Sequence, residues 1–185
     1  MRESISNISD ENNDLNEMYK HLCYHNICLY LGQYDRLSQE KRSELVEELT
    51  KKYDTFYNNI VAKSDLTTTE PQPTDPYIIL IANILFSDKE LDDRTICQTI
   101  LTLETTLTRS AANFNLKLIL IKLYNILGAV SASHTLFDSL DIKHMQYDSL
   151  GFLFTTPLIS GAHFTASSQF LGNALKFYSA NFKDV

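Results

Sequence analysis

Three short stretches constrain this chain most: Leu31-Gly32-Gln33-Tyr34, Leu127-Gly128-Ala129-Val130 and Ser160-Gly161-Ala162-His163 each read as a helix end followed by glycine, one residue, and an aromatic or apolar position. Glycine takes the positive φ that stops a helix without steric cost, so its recurrence in one local pattern marks helix-turn-helix units. The last two of these glycines lie 33 residues apart. Five glycines and four prolines in 185 residues leave long uninterrupted stretches, which argues against a sandwich or barrel of many short strands.

Apolar spacing between these punctuation points is helical. Residues 1–14 are rich in Ser, Asn, Asp and Glu and are expected to be disordered, with Asp14 and Glu17 forming a capping-box variant at the start of the first helix. Leu15, Met18, Tyr19, Leu22, Ile27, Tyr30 and Leu31 then recur at helical spacing up to Gly32. Ser38 is the expected cap of a second helix whose stripe is Leu45, Val46, Leu49, Tyr53, Phe56, Tyr57 and Ile60, giving a helical hairpin over residues 15–62. Residues 63–75, KSDLTTTEPQPTD, read as a linker or loop. Asp75-Pro76 predicts a helix start and a helix to about Phe86; Asp92 or Asp93 opens the next, with Ile96, Ile100, Leu103 and Leu107 on one face and an end near Arg109. Asn113 to Leu127 is apolar all round apart from Asn115, Lys117, Lys122 and Asn125, and is expected to be a fully buried helix. It is too short, and carries too many lysines, to cross a bilayer.

The spacing of 33 is one short of the tetratricopeptide period, and Gly32 to Gly128 is close to three such periods. In the middle copy Tyr124, Gly128, Val130, Phe137 and Leu140 stand at the packing positions of a helix-turn-helix repeat, with Ser133 small enough to let the two helices approach. The expected fold class is all-α, a right-handed superhelical array of antiparallel tetratricopeptide-like helix pairs, with residues 76–185 as the repeats.

Chemistry is sparse in this pattern. No phosphate loop, dinucleotide fingerprint, nucleophile elbow or zinc helix occurs, nor the Q/R-x-x-G-x-G/A signature by which acetyltransferases hold acetyl-CoA, so no catalytic or cofactor-binding residue is assigned. His21, His25 and Cys28 share one helix face and could ligate zinc, but no second Cys or His pair follows at finger-like distance, and a core cysteine flanked by two histidines accounts for them better. His134, His144 and His163 are dispersed and read as surface or helix-end residues. Glu40 to Glu48 reads as a solvated helix face. A net charge of −7 argues against an extended phosphate-binding surface. Without a signal-like opening, and with three cysteines in no disulfide framework, a cytoplasmic address is expected; Asn7-Ile8-Ser9 then carries no glycosylation meaning.

Residues 111–185 hold only nine of the 39 charged side chains, so this part expects neighbours. The chain stops without a helix of obvious polar outer face, as an internal portion of a longer protein would.

The stretch NFNLKLILIKLYNILGAVSASHTLFDSLDIKHMQYDSLGFLF, from Asn113 to Phe154, resembles the auxiliary, non-catalytic subunit of the NatB N-terminal acetyltransferase. SLDIKHMQYDSLG is its most specific piece, since Asp141, Lys143, His144 and Asp148 are not dictated by generic repeat packing. The likeness extends more weakly to both sides and covers most of the chain. Thr155-Thr156-Pro157 departs from it, in a place where the family pattern runs as an unbroken helix, and a residue is missing before Gly161; the proline should kink or shorten that helix. The resemblance implies a scaffold that holds a catalytic acetyltransferase subunit, possible contact with the ribosome, and acetylation of starts reading Met-Asp, Met-Glu, Met-Asn or Met-Gln, with acetyl-CoA bound by the catalytic partner. A tetratricopeptide-like adaptor for peptide tails is the alternative; it calls for an Asn/Lys/Arg-lined groove, for which Lys117 and Lys122 are sparse. A small metal-dependent hydrolase built on the His21 region is a third.

Overall fold

The computed structural model describes residues 2–62, 70–86, 92–143 and 146–181, with side chains described from residue 14 to residue 180 within those ranges. Its elements are α1 (Arg2–Tyr30), a 3-10 turn (Tyr34–Arg36), α2 (Gln39–Phe56) closing in a π-helical turn (Tyr57–Val61), α3 (Asp75–Phe86), α4 (Asp93–Arg109), α5 (Phe114–Ile126), α6 (Val130–Asp138), α7 (Gln146–Leu150), α8 (Phe152–Ser160) and α9 (Phe164–Asn181). No strand occurs among the described residues, in agreement with an all-α repeat array. No helix among them is long and apolar enough to cross a membrane.

The helices fall into two compact units, Met1–Asn113 and Phe114–Val185. Within the first unit α3 packs on α1, α2 and α4. Its composition dictates this: Tyr77, Ile78, Leu80, Ile81, Ala82 and Ile84 are all buried, and a helix apolar on that many sides needs neighbours around it.

In the first unit α1 runs unbroken from Arg2, so the segment expected to be disordered is helical and Asp14 lies inside the helix rather than at its start. No glycine or proline interrupts residues 2–30, and Ser, Asn and Asp permit a break without forcing one. The buried face is Met18, Leu22, His25 and Cys28, while Tyr19, Ile27, Tyr30 and Leu31, which belong to the same helical-spacing pattern, are exposed. Ser38 caps α2 by accepting from the Lys41 amide, and Asp92 rather than Asp93 caps α4 by accepting from the Thr95 amide at 2.9 Å. Arg42 is buried within the acidic run, whose glutamates are exposed, and its Nη2 donates to the Tyr34 carbonyl at 3.4 Å.

Residues 63–69 of the expected linker lie outside the described residues, but its end is not a free loop, since Gln72, Thr74 and Asp75 are buried. Asp75 is the first helical residue of α3 rather than its cap. Its Oδ2 accepts from the Gln72 amide at 2.9 Å, from Ser110 Oγ at 2.6 Å and from Asn113 Nδ2 at 2.6 Å, which fastens the approach to α3 onto the turn that follows α4. A buried carboxylate is tolerated when donors converge on it in this way.

In the second unit α5 and α6 form a helical hairpin on which α8 packs. The helix expected to be buried all round is buried along one side only: Leu116, Leu120, Ile121 and Leu123 are inside, Phe114, Lys122 and Ile126 outside. Ile121, Val130, Phe137, Ile142, Phe154 and Leu158 make the core, with Leu136, Leu140, Tyr147, Leu150, Ala166 and Phe170 around it. Phe137 and Phe154 stack with ring centroids 4.0 Å apart, and Phe170 meets both edge-on.

Helix α8 continues through Pro157 to Ser160. Proline has no amide hydrogen, so the Leu153 carbonyl loses its partner four residues on. Asn125 Nδ2, from α5, donates to that carbonyl at 2.9 Å.

Candidate interaction surfaces

The turn positions define the repeat more sharply than the glycines do. At the end of α1 the Gly32 amide donates to Leu29 O and the Gln33 amide to Cys28 O; at the end of α5 the Gly128 amide donates to Asn125 O and the Ala129 amide to Tyr124 O; at the end of α8 the Ala162 amide donates to Ile159 O and the His163 amide to Leu158 O. All three are the same paired termination, with a left-handed residue at the first position past the cap: Gly32 at φ +67°, Gly128 at +71° and Ala162 at +58°. The third equivalent of Gly32 is therefore Ala162, not Gly161, whose φ is −83°. Gly128 and Ala162 are 34 positions apart, the full tetratricopeptide period, and the residue that had seemed missing before Gly161 is accounted for.

This register places Tyr34, Val130 and Phe164 in equivalent positions. Tyr34 and Val130 are buried, and a Cβ built on Gly161 would come within 2.7 Å of Val130 Cγ2, so the helix-end turn of α8 lies directly on Val130. Phe164 is 68% exposed. Phe152, Ile159, Leu171 and Leu175 are exposed in the same unit, and Tyr19, Tyr24, Ile27, Tyr30 and Leu31 are exposed in the first. Exposed apolar side chains of this kind are what partner-binding helical scaffolds present.

The five positions expected to pack the repeat take different places. Val130 and Phe137 are buried, Leu140 is half-buried against the core, Tyr124 is also only half-buried, and Gly128 supplies the left-handed turn with open space where a Cβ would sit. Ser133 is fully buried. In the motif-rich segment Asp141 adopts φ +51°, its carboxylate pairs with Lys143 Nζ, the Lys143 amide donates to Gln146 Oε1 at 3.1 Å, and Asp148 accepts from the Tyr178 hydroxyl at 3.2 Å. These polar residues shape the connection between α6 and α7 and tie α7 to α9. His144 lies outside the described residues.

His21, His25 and Cys28 do share one side of α1, but their polar atoms are directed to tyrosines. His25 Nδ1 and the Tyr34 hydroxyl are 2.7 Å apart, and His21 Nδ1 and the Tyr77 hydroxyl 2.9 Å. The two imidazole centroids lie 4.5 Å apart. Burial, reinforced by Lys52, holds His21 below the ordinary imidazole value; burial, reinforced by His21, does the same to His25. Burial also pushes the Tyr77 hydroxyl up to about 12 and raises Tyr34. No three His, Cys, Asp or Glu side chains among the described residues are grouped to hold a metal ion. Tyr34 and Tyr77, the partners of this pair, were not singled out from the sequence as polar partners; their only sign there is a hydroxyl on a residue at a core position.

His134 Nδ1 lies 2.9 Å from Asp138 Oδ2, one turn along α6, with its ring over Phe154. Lys117 Nζ donates to the Ser139 carbonyl at 3.2 Å, and Lys122 is exposed.

Comparison with known proteins agrees with this geometry. Residues 1–185 match the family described as the N-acetyltransferase B complex (NatB) non catalytic subunit. The chain is 32% identical over 174 residues to N-alpha-acetyltransferase 25, NatB auxiliary subunit, of Mus musculus, covering 93% of this chain and 18% of that protein. It is 34% identical over 163 residues to the phagocyte signaling-impaired protein of Aedes aegypti, covering 87% of this chain and 17% of the relative. Over 80 residues it is 35% identical to the N-terminal acetyltransferase B complex subunit arm1 of Schizosaccharomyces pombe, covering 43% of this chain and 10% of that protein. The chain thus spans less than a fifth of the length of the relatives it matches. With helix pairs in a 34-residue register and a match along its whole length, the chain belongs to the family of the non-catalytic subunit of the NatB N-terminal acetyltransferase.

Proposed function

We propose that this chain is part of a scaffold that holds the catalytic subunit of a NatB acetyltransferase, and so supports acetylation of proteins beginning Met-Asp, Met-Glu, Met-Asn or Met-Gln. The observation that carries the reading is the family match over residues 1–185. The exposed apolar side chains on α1, α8 and α9 fit it, because a stacked array meets its partners through such faces. Tyr124, Gly128, Val130, Phe137 and Leu140 serve this role indirectly by fixing the α5–α6 hairpin. Acetyl-CoA is held by the catalytic partner, the complex works in the cytoplasm, and contact with the ribosome would bring it to emerging N-termini. An adaptor for peptide tails fits less well, since Lys117 is engaged by a backbone carbonyl.

The test is co-purification of tagged chain with a catalytic acetyltransferase subunit, followed by an acetylation assay on a Met-Asp peptide. The expected result is capture of the catalytic subunit and no turnover by the chain alone with acetyl-CoA. Turnover by a preparation free of other proteins, or failure to capture the subunit, overturns the proposal.

A further inference from the structure

The histidine pair of α1 has no place in the scaffold reading, yet it joins α1 to two other elements of the first unit. His21 and His25 sit one turn apart, so their rings lie side by side, 4.5 Å between centroids. Each is bonded to a tyrosine on a different element: His25 to Tyr34 of the 3-10 turn at 2.7 Å, His21 to Tyr77 of α3 at 2.9 Å. Tyr77 is fully buried and stacks on Phe56, and His25 itself is 7% exposed. The pair therefore fastens α1 to two other parts of the unit at one place.

We propose that His21, His25, Tyr34 and Tyr77 form a proton-sensitive clasp that holds α1 in place while both imidazoles are neutral and releases it in acid. A single added proton is tolerable, because a tyrosine hydroxyl can turn from donor to acceptor and keep its bond to an imidazolium. A second proton is not, because it puts two like charges on rings whose centroids are 4.5 Å apart, with one of them out of water. The charged and titratable groups facing the pair are Glu17, Tyr24 and Cys28 on α1, Glu48 and Lys52 on α2, Tyr34 on the 3-10 turn and Tyr77 on α3. Glu17 and Glu48 favour protonation, but Lys52 opposes it at His21 and lies 3.8 Å from the Glu17 carboxylate, offsetting one of the two.

The sign follows from both imidazoles being held below their ordinary value in the folded unit. The released helix binds more protons than the attached one, so attachment is complete above about pH 6.5 and is lost as pH falls below it.

Hydrogen exchange read by mass spectrometry on the full chain from pH 7.5 to pH 5, corrected for intrinsic rates, tests this. Amides of residues 18–31 are expected to lose at least tenfold in protection by pH 5 while those of residues 114–126 keep theirs. The double variant His21→Gln with His25→Gln, which retains an acceptor for each tyrosine and cannot titrate, is expected to keep residues 18–31 protected. Parallel loss in both segments, or a double variant that loses protection of residues 18–31 in acid as the unmodified chain does, overturns the proposal. If that variant does not fold, Tyr34→Phe carries the test: it removes one bond of the clasp and should raise the pH midpoint of release, and an unmoved midpoint is the contrary result.

Discussion

Asn125 and Leu153 are joined by a side-chain to backbone hydrogen bond of 2.9 Å that takes the place of the helical bond Pro157 cannot make. The family likeness marked Pro157 as a departure from an unbroken helix, and the partner that lets α8 continue through it lies on α5. Replacing Asn125 by Leu leaves the Leu153 carbonyl without a donor and is expected to cost about 1–2 kcal/mol. In a Pro157→Ala background the helix supplies its own donor and most of that cost should vanish. A double-mutant cycle in urea checks it, and equal costs in the two backgrounds would mean that the two residues are not coupled.

The common helix ending makes a second prediction from backbone geometry alone. Ala162 holds φ +58° where the two equivalent turns have glycine. A left-handed conformation costs a side-chain-bearing residue about 1–2 kcal/mol, so Ala162→Gly should raise stability by about 1 kcal/mol after the entropy lost by the more flexible glycine. Gly128→Ala should lower it by a similar amount, because the site has space for a methyl but the wrong φ. Thermal melts that rank the two substitutions the other way would show that these turns are not equivalent.

Burial separates two aromatics that the repeat pattern treats alike. Phe137 is 5% exposed and stacked on Phe154, so Phe137→Ala should cost roughly 3–5 kcal/mol. Tyr124 is half-buried, and truncating it should cost roughly 1–2 kcal/mol. Lys143→Ala removes an exposed ion pair with Asp141 and should change stability by less than about 0.5 kcal/mol. Denaturant midpoints at constant slope provide the measurement; a larger loss at Tyr124 than at Phe137 would place the α5–α6 packing elsewhere.

These cases show what the residues disclose by themselves. Helix limits and caps were legible where one local signal decided them, as at Ser38, Gly32 and Gly128, because a cap or a positive φ involves only a few consecutive residues. Which side of α1 faces inward was not legible, because apolar residues are spread around it and the choice is made by α3, far along the chain. The side-chain donors on Asp75 and the role of Asn125 were hidden for the same reason: short polar side chains carry no periodic signature, and Ser110 and Asn113 lie 35 and 38 residues from Asp75, and Leu153 lies 28 from Asn125. The third turn lies one position past its glycine, because the backbone there requires a left-handed residue and not glycine as such, and alanine fills it.

The exposed side chains of the second unit lead to a prediction about association. Phe164 stands in the register of Val130, which is covered by the helix-end turn of α8, and Phe152, Ile159, Leu171 and Leu175 are exposed in the same unit. Lys176 is the only charged residue between Phe152 and Asn181, so little electrostatic repulsion opposes contact between copies. Burial of apolar surface contributes about 25 cal/mol per Å², and a few hundred Å² of such surface is enough to drive weak self-association. The 185-residue chain at high concentration should therefore sediment as a mixture of monomer and larger species, and the pair Phe164→Ser with Leu175→Ser should shift it toward monomer without lowering its helical circular dichroism. Sedimentation velocity on both proteins distinguishes the outcomes. A single monomeric species for the unmodified chain, or unchanged association in the variant, would show that these side chains do not make the contact.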